Sequence, residues 1–352
     1  MKIKDLCSYA PKSRIKAGEA VDNAKYLFFT SSADENKRYT DFQFDKEAII
    51  MGTGGNATLH YHNGKFSVST DCLVLLPDPQ IKCKYLYYFF KSHMNVLEAG
   101  FKGAGLKHTN KKYIEDIEIN KVPDLITQDR IISRLDKISE NIEKLNRELG
   151  LFDSLVKARF VEMFGDPEEN PFNWEKILLA KVIINANNGM ARRGNDKDGN
   201  IVMRLVELQD GYIDYSNPNR IILKDNEKKR YLLKDNDFLF ARVNGNPDNV
   251  GRCAVFHDIG EDVYHNDHII RVHFDEELLN GTFASALFNS DYGKKQLKSQ
   301  IKTSAGQYTV SQDGIGAIAT ILPPAKLQNQ FADFVQQVDK SKYDDIRVEY
   351  KC

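Results

Sequence analysis

Few side chains in this 352-residue sequence stand at spacings that could do chemistry. His60 and His62, two residues apart, would present both imidazoles on one face of a strand, and His265 and His268 flank Asp267. Neither pair has a third ligand at a spacing that would close a zinc site, so strand-surface or turn histidines are the simpler reading. A metal-dependent nuclease needs clustered carboxylates and a lysine; Glu349-Tyr350-Lys351 has the tripeptide form, but lies in a polar tail with no evident catalytic partner. The glycines of GTGGN (residues 52–56) lack the lysine and following helix of a phosphate-binding loop. The one Pro-Pro pair, Pro323-Pro324, follows leucine and precedes alanine, whereas an amino-methyltransferase places Asn or Asp before it and an aromatic after. The five cysteines (Cys7, Cys72, Cys83, Cys253, Cys352) are an odd number without a C-x-x-C pair and read as free thiols. The expectation is a binder, with no catalytic residue, metal or cofactor of its own.

Binding chemistry is better represented. Residues 99–114 contain Lys102, Lys107, Lys111 and Lys112 and no acid, and residues 292–312 contain Lys294, Lys295, Lys298 and Lys302, again with none. In a chain of formal net charge −1, two such stretches suggest local phosphate-facing surfaces that the average conceals. Groups able to address base edges lie on polar loops: Thr53 and Asn56, then Arg192, Arg193, Arg242, Asn244 and Asn246, with Gln307 and Tyr308 beside the second basic stretch. Arginine can take guanine through two hydrogen bonds, and asparagine or glutamine can do so for adenine. Each could equally cap a turn, so they are candidates as a set. The 41% hydrophobic content is that of a globular protein, no apolar run approaches the roughly 18 residues of a membrane span, and the N-terminus has no signal-like apolar core, so a cytoplasmic location is expected.

The elements that must position these groups are more distinctive. Ile131, Leu135, Ile138, Ile142, Leu145, Leu149, Phe152 and Val156 follow one another at steps of four and three. A 3.5-residue period held for about four heptads describes a seam against a partner helix. Residues 126–164 would form a rod of about 60 Å, ended by Gly165 and Pro167. A mate begins at Leu327, Phe331, Phe334 and Val338, after which the seam lapses into SKYDDIRVEYKC, so this second helix is expected to be short or truncated.

The segments before the two helices also match, as part of a chain-long duplication. DKEAIIMGTGG (45–55) pairs with DNDFLFARVNG (235–245), VSTDCLVLLP (68–77) with YHNDHIIRVHF (264–274), aligning Asp71 with Asp267, and GAGLKHTN (103–110) with SAGQYTVS (304–311). Each helix is entered through a short β-like run, a proline, and a leucine three residues before a glutamine: Pro123, Leu125 and Gln128, then Pro324, Leu327 and Gln330. PEENPFNW (167–174) opens the second copy, with Trp174 as a core anchor. The expected domains are 1–125, a spacer helix 126–165, 166–326 and a second spacer helix 327–352.

On FVEMFGDPEENPFNW after a long helix, the strand-proline-leucine-glutamine entries and the two-copy plan, the chain resembles the specificity subunits of Type I restriction-modification systems. The resemblance implies an α+β fold in which two similar target recognition domains are joined by long helices packed as an antiparallel coiled coil with pseudo-twofold symmetry. It implies a non-catalytic subunit that reads a bipartite site in double-stranded DNA. Modification subunits, which bind S-adenosylmethionine, and a restriction subunit would be its partners. A two-domain coiled-coil scaffold without sequence-specific binding, and a nuclease using the C-terminal carboxylates, are the rival readings. If a rod sets the unread gap between half-sites, four residues inserted at Gly150, about 6 Å of helix, lengthen the preferred gap by roughly two base pairs at about 3.4 Å each. Methylation mapping reads the gap, and an unchanged gap contradicts the spacer.

Overall fold

In Phe44–Gly52 the run Ala48-Ile49-Ile50-Met51 is apolar at every position because both faces of its strand are covered. Alternate side chains of a strand point to opposite faces. Ile49 and Met51 therefore join Leu75, Leu86, Phe90 and Ile114 on the helical side, while Ala48 and Ile50 join Phe29, Phe66 and Val74 on the other. This strand is central to a six-stranded sheet ordered Cys7–Tyr9, Cys72–Pro77, Phe44–Gly52, Leu59–Val68, Tyr26–Phe29, Arg38–Tyr39. All neighbours are antiparallel except Tyr26–Phe29 beside Leu59–Val68. Helix Cys83–Ser92 packs on the sheet through Leu86 and Phe90.

The computed structural model describes residues 1–304 and 306–349, and the chain divides into two compact units, Met1–Lys144 and Leu145 onward. The second unit holds a four-stranded antiparallel sheet ordered Cys253–Val255, Phe238–Ala241, Ile269–Phe274, Ile183–Asn188. Its core is built from Phe238, Phe240, Ile270, Phe283 and Phe288, all almost fully buried. Among the described residues this unit also holds three smaller sheets, one of which pairs Ala319–Leu322 with Glu175–Leu178.

The central helix, Leu125–Phe164, begins in the first unit and ends in the second. Asp124 caps it, accepting from the Thr127 N–H at 2.8 Å. At the other end Gly165 adopts φ +74°, donates its N–H to the Val161 carbonyl, and leaves no room for a side chain, since a Cβ would lie 2.4 Å from Pro171. The Trp174 indole donates to the Phe164 carbonyl at 2.9 Å, and Asn170 holds the Trp174 backbone from both sides.

Within the second unit the terminal helix, Ala325–Glu349, runs antiparallel to the central helix. Phe331 packs against Phe160 and Phe164, the Arg159 guanidinium lies over the Phe334 ring, and Lys342 pairs with Asp153 at 2.9 Å. Three details differ from the heptad reading. The backbone stays helical to Glu349, well past the lapse of the seam at Val338, because residues 339–349 contain no glycine or proline to interrupt a helix. Phe160 and Phe164, beyond the last seam position assigned, are the most deeply buried part of the contact. Ile138 and Ile142, by contrast, are 55% and 53% exposed, while Ile131, Leu135, Leu145, Leu149, Phe152 and Val156 are half-buried.

A buried glutamine fixes the start of each long helix. Gln128, with no exposed surface, accepts the Lys82 N–H at 2.8 Å and donates to the carbonyls of Pro123 and Gln80. Gln328, equally buried, accepts the Asn280 N–H at 2.9 Å and donates to Pro323 and Leu278. The counterpart of Pro123 and Gln128 is thus Pro323 and Gln328; the Pro324, Leu327 and Gln330 alignment is out of register because identity in a short motif does not reveal which amide is enclosed. Gln328→Leu strands an N–H and two carbonyls and should cost about 3 kcal/mol, roughly 6–12 °C in the second unit's melting temperature by calorimetry, whereas Gln330→Leu leaves it unchanged.

Candidate nucleic-acid interface

In the first unit the strand Phe44–Gly52 runs out into Thr53-Gly54-Gly55-Asn56. Thr53 donates its N–H (2.8 Å) and its hydroxyl (2.9 Å) to the Asp71 carbonyl, which also receives the Ser31 hydroxyl at 2.6 Å. The basic stretch folds beside this loop: Lys102 and His108 exchange both backbone hydrogen bonds, the Gly55 N–H donates to Lys107 and the Thr109 N–H to Thr53. Asn56, Lys102, Lys107 and His108 therefore share one exposed surface.

The second unit repeats this construction with other side chains. Phe238–Ala241 runs out into Arg242-Val243-Asn244; the Arg242 N–H donates to the His268 carbonyl at 2.7 Å, and Val310 donates to Arg242 at 2.9 Å. The hairpin Lys302–Ser304 and Gln307–Thr309 lies alongside, with Tyr308 opposite Asn244 and Lys302 opposite Thr309. By these bonds Arg242 corresponds to Thr53, His268 to Asp71 and Val310 to Thr109. The pairing of Asp71 with Asp267 is one residue out of register. Lys102 and Lys302 hold the same rung of their hairpins.

Arg193 and Arg242 converge on Asp267. Arg193 donates to its carboxylate at 2.6 Å and lies 3.1 Å from the His268 Nε2, and Arg242 donates to its carbonyl at 3.1 Å. Gln307 is exposed at the hairpin and Tyr308 half-buried. Asn244 and Asn246 are partly used in turns, accepting the N–H groups of Asn246 and Asp248. Sequence reasoning missed His108, Asp267 and His268 as members of these surfaces; the repeat pointed to Asp267, but as the counterpart of Asp71, a place that His268 holds.

Other candidates are drawn elsewhere. Arg192 turns to Glu227, bonding both carboxylate oxygens, and its guanidinium holds that carboxyl down to about 2. Lys294, Lys295 and Lys298, on the helix Asp291–Ser299, pair with Asp210, Glu168 and Asp248. A stretch without acids in sequence is therefore supplied with them in space, from positions far along the chain. Lys111 pairs with Glu115 and lies over the Tyr9 ring, and Lys112 is exposed on the same short helix. Only Lys102 and Lys302 occupy equivalent places.

His60 is buried between Glu35 and the Ser32 carbonyl. Burial pushes the thiols of Cys7, Cys72, Cys83 and Cys253 up, that of Cys72 to about 11. Among the described residues no cluster of three or more His, Cys, Asp or Glu side chains forms a metal site. Tyr350, Lys351 and Cys352 lie outside the described residues. No helix among those described is long and apolar enough to cross a membrane.

Comparison with known proteins shows what the chain is similar to. Residues 1–150 match the Type I restriction modification DNA specificity domain. Over nearly its whole length the chain is similar to Type I specificity subunits. It is 24% identical over 344 residues to the StySPI specificity subunit of Salmonella potsdam and 21% identical over 346 to the EcoKI specificity subunit of Escherichia coli K12, covering in each case 94% of this chain and 71% of the relative. The fold is shared with the crystal structure of the Type I S subunit from M. genitalium, with a TM-score of 0.62 at 17% identity over 99% of this chain and 91% of that one.

The second surface rests on a neutral histidine. Met190 donates its N–H to the His265 carbonyl, and Gly189 passes so close that a Cβ would lie 2.2 Å from that oxygen. The His265 ring is fully enclosed, bonded to the Tyr231 carbonyl, and burial lowers its pKa from 6.5 to about 4. Between those values the unfolded chain takes up a proton that the folded one refuses. Stability is therefore complete above about pH 6.5 and falls as the pH drops toward 4, by up to about 3 kcal/mol. Melting temperatures from pH 7 to 4 should show the decline, and His265→Gln should flatten it.

Proposed function

We propose that this chain is the DNA-recognition subunit of a Type I restriction-modification complex. It reads a bipartite site in double-stranded DNA, one half with each unit, and assembles with modification subunits and a restriction subunit. The observation that carries this reading is the same loop-and-hairpin surface, held by equivalent backbone hydrogen bonds but bearing different side chains, in both halves of a chain similar to specificity subunits. Phosphate contacts fix register and base-edge contacts discriminate. Lys102 and Lys302 suit the first role, with Lys107 beside Lys102. Asn56 in one unit, and Arg193, Arg242, Asn244, Gln307 and Tyr308 in the other, suit the second.

Asp267 holds Arg193 in one orientation before DNA arrives, so less side-chain freedom is lost on binding. The protein works in the cytoplasm, where its DNA is. Catalysis belongs to the partners: S-adenosylmethionine binds the modification subunit, and this chain contributes position and specificity.

Binding measured with the modification partner over a salt series tests the assignment. Lys102→Ala and Lys302→Ala should each lower the salt slope by about 1. Lys294→Ala, Lys295→Ala and Lys298→Ala, already paired, should change it little. Arg242→Ala should relax discrimination at one half-site by about 1–3 kcal/mol. A scaffold that does not read DNA shows no sequence preference on random duplexes, and that outcome overturns the proposal.

A further inference from the structure

The arginine loop of the second unit has a counterpart in the first. The Asp267 N–H donates to the Met190 carbonyl at 3.0 Å, and the Thr70 N–H donates to the Ile15 carbonyl at 2.8 Å. Since His268 holds the place of Asp71, Asp267 corresponds to Thr70 and Met190 to Ile15. The strip Lys12-Ser13-Arg14-Ile15-Lys16 therefore lies against the turn that carries Thr53, where the second unit places Met190-Ala191-Arg192-Arg193.

The strip is fixed from one side. Ser13 is buried, and its hydroxyl oxygen accepts the Ile15 N–H at 3.1 Å and the Gln43 side-chain amide at 2.9 Å. Gln43 in turn accepts the Val68 N–H at 2.9 Å, at the end of the strand Leu59–Val68. Ile15 is half-buried, whereas Lys12, Arg14 and Lys16 are exposed, so exposure alternates residue by residue and the cations share the solvent side. Their pairing differs from that of the second unit. Arg193 is held by the Asp267 carboxylate and Arg192 by Glu227. Thr70, at the place of Asp267, has no charge to offer, and among the described residues no ion pair engages Lys12, Arg14 or Lys16. The nearest acid along the chain, Glu19, accepts the Lys16 backbone N–H at 2.7 Å.

We infer that Lys12, Arg14 and Lys16 form a ridge that grips successive phosphates of one DNA strand beside the first unit's half-site. Uncompensated cations on an anchored backbone make a local positive potential that the average charge of the chain conceals. The first unit then anchors the complex electrostatically, while the second, whose arginines are already paired, contributes fewer phosphate contacts. The inference rests on the DNA-reading assignment and extends it to residues 12–16.

The test is binding of the full chain, with its modification partner, over a salt series to two probes: a random-sequence duplex and a duplex that the wild-type chain selects from a random pool. On both, Lys12→Ala, Arg14→Ala and Lys16→Ala should each lower the slope of log K against log salt by about 1, and the triple variant by about 3. Arg14→Lys should keep the slope, since a phosphate contact needs only the charge. Preference for the selected duplex should stay within about twofold of wild type, because phosphate contacts carry no sequence information. Ser13 is intact in every variant, and equal melting temperatures check that the strip stays anchored. A triple variant with the wild-type slope overturns the inference. So does an Arg14→Ala that keeps the slope but loses preference for the selected duplex, which makes Arg14 a base reader. A wild-type chain that selects no sequence counts against the DNA-reading assignment instead, and the slope on the random duplex still decides the ridge.

Discussion

A glutamine side chain without access to water joins each long helix to the lobe it leaves. Its carboxamide accepts one backbone N–H and donates to two carbonyls, so the first turn of the helix, the preceding proline and the start of a core helix are held as one body. Buried polar groups are costly unless satisfied, and this is what makes the joint specific: a shifted register would strand several amides at once. The direction in which each rod leaves its lobe is thereby set by hydrogen bonds, where apolar contacts alone would allow it to slide.

On this frame the two loop-and-hairpin surfaces are built for substitution. The backbone bonds that dock the loop after the central strand against the basic hairpin are the same in both units, yet one loop is Thr-Gly-Gly-Asn and the other Arg-Val-Asn. Because the docking uses main-chain groups, side chains on that surface can change without loss of the scaffold. Thr53 is spent largely on its own turn, whereas Arg193 and Arg242 are gathered by Asp267 into a cationic group. The two units therefore offer different chemistry from one plan.

Surface charge follows a different logic from the one composition suggests. The lysines of the helix Asp291–Ser299 meet carboxylates, and such exposed pairs contribute little stability and are screened by salt. They restrain where positive charge is available. What remains at equivalent places is one lysine in each hairpin, a narrower electrostatic footprint than eight lysines in two stretches.

Local regularities determined a good part of this protein. The heptad steps of residues 131–156, the glycine stop at Gly165 and the anchoring of Trp174 are short-range patterns, each visible in a run of neighbouring residues, and the order of the repeated blocks is legible when the two halves of the sequence are set side by side. The tertiary structure decided the rest. It set the register of the repeat at Gln328 and His268, the engagement of Arg192 with Glu227 and of three lysines with distant acids, and the burial of Phe160 and Phe164 while Ile138 and Ile142 stay exposed. Those outcomes depend on which residues tens to hundreds of positions apart come within a few ångströms, and no periodicity along the chain encodes that distance.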